Sequence, residues 1–332
     1  MTQHAVLGGV LLAFAGGAFA FGPEGHQTVG KLADSLIAGT NAATQVQQIL
    51  GISLEQASVW ADCAKGVGKT KAGKFTYQTT GKYPECKQFE TPKGKIAMVS
   101  FVKRNWSACH PAADEEVCHK QYHYADVASQ HDHYQKGFVG TSDHDIVAAI
   151  NAAIQTLQGG QAAAPFSLAS KREALLLLSH YVGDIHQPLH VEAVYLDTQG
   201  KVVDPDQGTF DLSTKTIGGN SITDAGANLH HEWDTVSDAL KPDQLGTTGI
   251  SDAQAVPPTS GDVMTWSTQW ATDTIHSAGP AFTGATFSPE SASKHWQVSV
   301  PSSYASDRDA LQRTQLLKAG ARLAQLLQTI WP

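Results

Sequence analysis

One stretch constrains this chain more than any other: Ala174-Leu-Leu-Leu-Leu178, followed at once by Ser179-His-Tyr-Val-Gly-Asp-Ile-His-Gln-Pro-Leu-His190. The leucine run predicts a helix buried in the core, and Pro188 predicts where that helix ends. At about 100° per residue, His180 and Asp184 lie one turn apart on one face, where an imidazole and a carboxylate converge on a single cation. His186 falls on a different face, and His190 sits on a turn beyond the helix. The same spacing recurs in Asn228-Leu-His-His-Glu-Trp-Asp234, with His230 and Asp234 at i and i+4. One such pair is ordinarily a surface ion pair or a hydrogen-bonded core histidine. Two pairs with a third histidine at 190 predict a metal centre holding more than one ion. Nitrogen and oxygen ligands of this kind suit zinc, whose catalytic sites leave one position open for water. The H-E-x-x-H protease signature is absent, because His231-Glu232 has no second histidine at the required spacing.

The N-terminus opens with an apolar run, Ala5 to Ala20, closing on Ala18-Phe-Ala20, the small-x-small pattern that precedes a signal-peptidase cut. The run is shorter than the roughly 20 apolar residues of a membrane span and is rich in Gly and Ala. Residues 1–20 therefore read as a secretory signal, although the segment before the run carries His4 and no Lys or Arg. Its removal would make Phe21 the first residue and predicts a secreted or periplasmic protein with no membrane span in the mature chain. Residues 21–332 are expected to form a single domain, since no linker, repeat or low-complexity tract divides them.

Four cysteines, Cys63, Cys86, Cys109 and Cys118, form an even set that reads as two disulfides in an exported chain. Three pairings are open; Cys63 with Cys86 and Cys109 with Cys118 is the expected one, because both close local loops. Free thiols or a cysteine zinc site are disfavoured by the export signal and the lack of C-x-x-C. Asn105-Trp-Ser107 is a glycosylation sequon if the host glycosylates. The net charge of −8 argues against a generally basic nucleic-acid binder, yet residues 65–104 carry ten Lys and Arg against Glu85 and Glu90. That segment is either a solvated lysine-rich loop or a means of drawing in a polyanion.

Helix punctuation dominates elsewhere. Ser53-Leu-Glu-Gln56 and Ser142-Asp-His-Asp145 have the capping-box pattern, the second opening an amphipathic run from Ile146 to Leu157. Arg308 to Ile330 repeats Leu and Ala at helical spacing. Strand signals are sparse, with Ile96 to Val102 and Val194 to Val203 the candidates. The expectation is a mainly α chain with little β and long loops at 65–120 and 195–225.

With the two His/Asp pairs taken as ligands, three earlier stretches acquire a meaning: Phe21-Gly-Pro-Glu-Gly-His26, Trp60-Ala-Asp62 and Tyr122-His-Tyr-Ala-Asp126. In this order the five motifs resemble the zinc-dependent single-strand nuclease family of the S-one/P-one type. The resemblance implies one mainly helical domain, similar to zinc phospholipase C, that holds three zinc ions. It makes Asp62, His123, His180 and Asp184 ligands of the first zinc, and His190, His230 and Asp234 ligands of the second. The third falls to the α-amino nitrogen and carbonyl oxygen of Phe21, to His26 and to Asp184 as a bridge. The family's usual first residue is Trp, but the ligating atoms there are backbone. An α-amino group must shed its proton to bind metal, so signal cleavage would complete the centre.

The resemblance further implies catalytic roles for Asp62, orienting the attacking water, and for Lys65, neutralising phosphoryl charge. Tyr124 would stack on a base and Asp126 accept hydrogen bonds from its edge. Asn220 is a third candidate for the same cleft, with a turn as its alternative role. The implied activity is hydrolysis of single-stranded DNA and RNA to 5′-phosphorylated products, with 3′-nucleotidase activity, by a monomer needing no stable protein partner. The rival readings are a zinc phospholipase C acting on lipid head groups and a non-catalytic zinc-binding envelope protein. Tyr124, Asp126 and the Asp at 234, where phospholipases usually carry Glu, favour the nuclease. A cluster of only three protein ligands disfavours a purely structural zinc. Among the remaining histidines, His131-Asp-His133 has the spacing for a stray metal ion.

Overall fold

The computed structural model describes residues 21–113 and 115–332; the expected signal segment, residues 1–20, lies outside the described residues. The leucine run forms the helix Lys171–Asp184, and every residue from Ala174 to Asp184 is buried. Ser170 caps it, the Glu173 N–H donating to the Ser170 hydroxyl (3.2 Å). The helices Gly22–Ile37, Asn41–Leu50, Trp60–Ala64, Ile146–Leu157 and Tyr304–Ile330 all pack against this central one. The result is one mainly α domain with a few short strands, and no described helix is long and apolar enough to cross a membrane.

Helix starts follow their sequence signals with one shift. The capping box at Ser53 forms: Gln56 N–H donates to Ser53 Oγ (3.1 Å) and Ser53 N–H to Gln56 Oε1 (3.3 Å). At the second pattern the cap is Asp145 rather than Ser142. Its Oδ1 accepts from the N–H groups of Val147 and Ala148, while its Oδ2 accepts from Ser142 N–H and the Tyr134 hydroxyl. One carboxylate thus serves four donors that a serine hydroxyl cannot.

The segment 65–120 is structured, contrary to the expected long loop. A hairpin pairs Val67–Lys69 with Phe75–Tyr77, and a 3-10 turn spans Pro84–Phe89. The strand expected at Ile96 to Val102 is instead part of the helix Pro92–Arg104. Thr91 caps that helix, Pro92 sits in its first turn, and Met98, Phe101 and Val102 are buried while Ile96 is 69% exposed. Spacing of i, i+3 and i+4 overrides the β-branched propensity of the run. Cys63–Cys86 ties this segment to the helix that carries Asp62, and Cys109–Cys118 closes its far end, as the local-loop pairing anticipates.

The second candidate strand, Val194 to Val203, is broken by a turn into Tyr195–Leu196 and Val202–Val203, paired antiparallel. A four-stranded sheet, in the order Ala227–Asn228, Ile222–Asp224, Trp296–Ser299, Thr286–Phe287, covers a second apolar cluster around Trp233, Trp296 and Tyr304. Asn105 is fully buried; its side-chain amide donates to the carbonyls of Phe101 and Ser167 (both 3.0 Å), and its oxygen accepts from Ser167 N–H (2.9 Å). The sequon therefore presents no glycan acceptor in the folded chain.

Candidate metal centre

The last turn of the central helix brings His180 and Asp184 to the same place as three residues from elsewhere. His180 Nε2 lies 3.2 Å from Asp184 Oδ2, 3.6 Å from Asp62 Oδ1 and 3.1 Å from His123 Nδ1. His26, from the helix Gly22–Ile37, stacks on the His180 ring at 3.7 Å between centroids and reaches Asp184 Oδ1 at 3.2 Å. Gly183 makes that approach possible, since a Cβ there would sit 2.7 Å from His26 Nδ1. The 3-10 turn Pro188–His190 and the helix Leu229–Asp234 build a second group. His190 Nε2 is 3.0 Å from His230 Nε2, with Asp234 Oδ1 and Oδ2 at 3.9 and 3.6 Å from the two imidazoles respectively.

Backbone carbonyls orient these rings. The Nδ1–H groups of His180, His190 and His230 donate to the carbonyls of Ser58 (2.6 Å), His123 (2.8 Å) and Gly218 (2.6 Å). Each bond fixes the tautomer and leaves Nε2 as a lone pair aimed into the cluster. In the second group two such lone pairs face each other at 3.0 Å, which is repulsive unless a cation lies between them. Asp234 Oδ2 and His26 Nδ1 are buried without a hydrogen-bond partner, as metal ligands are before the ion is added. His186 differs: its Nδ1–H donates to Val182 O (2.7 Å) and Arg322 donates to its Nε2 (2.8 Å), so it is a satisfied core histidine.

The described residues thus hold three buried His/Asp groups whose ligand atoms lie within 4.8 Å of one another: His26, Asp62 and His180; His123, His180 and Asp184; and His190, His230 and Asp234. Hard and borderline donors in this mixture fit zinc. Burial alone would raise the Asp62 carboxyl, but Lys65, His180 and His123 outweigh it and hold it at about 2. Asp184, equally buried, is held well below the usual range by the three histidines around it. Burial, with Lys65 adding to it, takes His123 down to about 3, and burial takes His230 down to about 4. These are unprotonated imidazoles beside ionised carboxylates, the state a cation requires of its ligands. His180 and Asp234 are the exceptions: against the effect of burial, the carboxylates of Asp184 and Asp62 raise His180, and burial raises Asp234.

Of the remaining sequence candidates, Lys65 places Nζ 2.7 Å from Asp62 Oδ1. Phe21 is fully buried at the start of its helix, its carbonyl oxygen accepting from Gly25 N–H (3.0 Å) with one lone pair to spare. Tyr124 and Asp126, one and three residues after His123, line a cleft of about 730 Å³. Burial pushes the Asp126 carboxyl up to about 6, against the pull of Lys215. Asn220 is a turn residue: its side-chain amide donates to Ile217 O (3.0 Å), and its own carbonyl accepts from the Asn228 side chain (2.9 Å).

Sequence reasoning missed Ile217, a β-branched residue in the left-handed region (φ 56°) whose side chain is 51% exposed in the same cleft. Strain of that kind concentrates at working sites. The adjoining Gly218 (φ 54°) is required where it stands, because a Cβ would meet Leu189 O at 2.7 Å. The Gly218-Gly-Asn220 run was the visible signal for both. His131 approaches Asp204 and Asp206, not His133. There His131 Nε2 pairs with Asp206 Oδ2 (2.8 Å), and Asp206 Oδ1 accepts from Val139 N–H (2.9 Å), so the group ties two loops together.

Comparison with known proteins bears on this geometry. The family profile described as S1/P1 Nuclease matches residues 21–332. Endonuclease 2 of Arabidopsis thaliana is 28% identical over 221 residues, 65% of this chain and 55% of that protein. Endonuclease 4 of the same plant is 40% identical over 75 residues, 21% of this chain and 18% of that protein. The chain therefore spans about half the length of the first relative and under a fifth of the second.

Proposed function

Because the chain belongs to the S1/P1 nuclease family, we propose that it is a zinc-dependent endonuclease that hydrolyses single-stranded DNA and RNA to 5′-phosphorylated products, with 3′-nucleotidase activity. The observation that carries the zinc reading is the pair of Nε2 lone pairs of His190 and His230, 3.0 Å apart with both Nδ1–H groups committed to carbonyls. Three ions suit the donors: Asp62, His123, His180 and Asp184 for the first; His190, His230 and Asp234 for the second; and Phe21 backbone, His26 and Asp184 for the third. Zinc held there supplies Lewis-acid activation of water and of the phosphoryl group.

The chain's own residues do the rest. Asp62, ionised well below neutral pH, orients the attacking water through the oxygen not paired with Lys65. The Lys65 ammonium, held charged chiefly by Asp62 and Asp184 against the effect of burial, offsets the charge that builds on the phosphoryl oxygens. Tyr124 offers a ring on which any base stacks, and the buried Asp126 carboxylate accepts from the base edge. Single strands suit this arrangement because their bases splay out of a helix. Asn220 acts at one remove, by closing the turn that holds Ile217 and Gly218. A secreted or periplasmic location and a single domain from Phe21 onward complete the reading, with cleavage freeing the Phe21 amine as a ligand.

The test is release of acid-soluble nucleotides from single-stranded DNA by zinc-loaded protein beginning at Phe21, before and after chelation. Chelator-sensitive release that returns with zinc is the expected result. A zinc-loaded sample that releases nothing overturns the reading and makes phospholipid head groups the next substrate to try.

A further inference from the structure

The cleft that receives Tyr124 and Asp126 is larger than one base needs. At about 730 Å³ it falls within the roughly 300–1,000 Å³ range that encloses a ligand of several rings. Among the described residues five large apolar side chains are exposed, and three of them, Phe210, Leu212 and Ile217, line this one cleft. Apolar side chains gathered at one concave surface mark a binding face, whereas scattered ones need no explanation.

The wall that carries them is held in place. Asp211 Oδ1 accepts from the N–H and hydroxyl of Ser213 (2.9 and 2.8 Å), and the Thr214 hydroxyl donates to Asp211 O (2.7 Å). The Thr216 hydroxyl donates to Val194 O (2.6 Å), and Asp206 fixes the segment to His131 and Val139. Tyr195 meets the Phe210 ring edge-on at 6.1 Å and donates its hydroxyl to Asp126 O (2.7 Å), joining this wall to the floor at Asp126. The backbone is thus anchored while the tips of Phe210 and Leu212 stay uncovered. Lys215 stands in the same wall between Leu212 and Ile217, with Lys294 also on the cleft; the carboxylates of Glu115, Glu116, Asp126, Asp145 and Glu290 share the lining, so these lysines are where an anionic phosphate is accommodated.

An aromatic and an aliphatic side chain flanked by a lysine match a base and its adjoining phosphate. We propose that the cleft holds a second nucleobase of the single strand, against Phe210 and Leu212, with the linking phosphate on Lys215. The protein then recognises a two-base unit rather than one base. The added base belongs to the nucleotide beyond the one on Tyr124, on the side away from the metal centre. This subsite rests on the nuclease reading for its ligand, and the experiment separates the two.

The experiment compares KM and kcat on a dinucleotide and on oligonucleotides lengthened by one and two residues at either end, for zinc-loaded wild type and the Phe210→Ala/Leu212→Ser double variant. Both positions are partly exposed, so the variant is expected to fold. Wild type should gain about tenfold in KM from one added nucleotide on one side only, and little from the next. The double variant should lose that gain while keeping wild-type kinetics on the dinucleotide. Equal losses on both substrates, or a gain that survives the double substitution, overturn the subsite. If wild type cleaves nothing, the nuclease reading falls. Fluorescence anisotropy with uncleavable sulfur-substituted di- and trinucleotides then decides the subsite: a trinucleotide preference abolished in the variant supports it, and no preference in wild type overturns it.

Discussion

Asp126→Asn tests whether the cleft's carboxylate is kept for recognition at the expense of stability. Asp126 is 5% exposed, and burial, only partly offset by Lys215, lifts its carboxyl from 3.8 to about 6. A folded value above the unfolded one means that the native state binds more protons between about pH 4 and pH 6, so wild-type stability falls as pH rises through that window. The difference is about 2 units, which at about 1.36 kcal/mol each gives about 3 kcal/mol lost by pH 7. Asparagine has nearly the same shape and no charge to desolvate, so the variant escapes the loss. Urea unfolding of both proteins at fixed zinc, at pH 4 and pH 7, isolates the effect, because metal-linked pH dependence is common to the two. The stability of the variant relative to wild type should rise by about 2–3 kcal/mol between the two pH values, while its KM for single-stranded substrate worsens. A stability difference that stays constant across this range would falsify the argument, since the Asp126 carboxyl would then be solvated in the fold.

Three further substitutions probe the frame of the centre. Gly183→Ala forces a Cβ to within 2.7 Å of His26 Nδ1, so metal analysis should find one zinc fewer per chain; an unchanged zinc count would remove His26 from the ligand set. Replacing Cys63 and Cys86 together by Ala opens a loop with a sequence separation of 23 residues, and denaturant unfolding should register a loss of about 3 kcal/mol. A loss below about 1 kcal/mol would mean that the segment 65–104 holds its place without the cross-link. Asp62→Asn keeps the side chain's shape beside Lys65 and should lower kcat by at least about 10²-fold with near-native circular dichroism. Full turnover in that variant would refute the role given to Asp62.

The fold class was legible because burial follows the pattern of apolar residues, and the central helix is the clearest case: the leucine run needed no tertiary information to be placed in the core. The same logic failed at Ile96 to Val102, where a short apolar run is ambiguous between strand and helix until Thr91 and Pro92 are read as a helix start. It failed again at 195–203, because Asp197 and Gly200 fold back a run that composition alone reads as continuous. Local propensity decides such segments only where packing does not.

The His/Asp groups were legible for a different reason. His/Asp pairs at i and i+4 announce themselves in one dimension, and His26, Asp62 and His123 were added by motif order. What spacing cannot show is how the imidazoles are held, because the carbonyls of Ser58, His123 and Gly218 contribute no side chain to a sequence pattern. The wall of the cleft was hidden by a related effect. Phe210, Leu212 and Ile217 look like ordinary apolar residues, and only their exposure together, on a backbone anchored by Asp206, Asp211 and Thr216, distinguishes them from core. Sequence thus reveals a candidate site through its His and carboxylate side chains, whereas an apolar binding face becomes visible only when folding leaves apolar groups uncovered. The proposed subsite should accordingly depend most on residues whose chemistry is least conspicuous, which is why the Phe210→Ala/Leu212→Ser comparison is more informative about length selection than any substitution in the His/Asp groups.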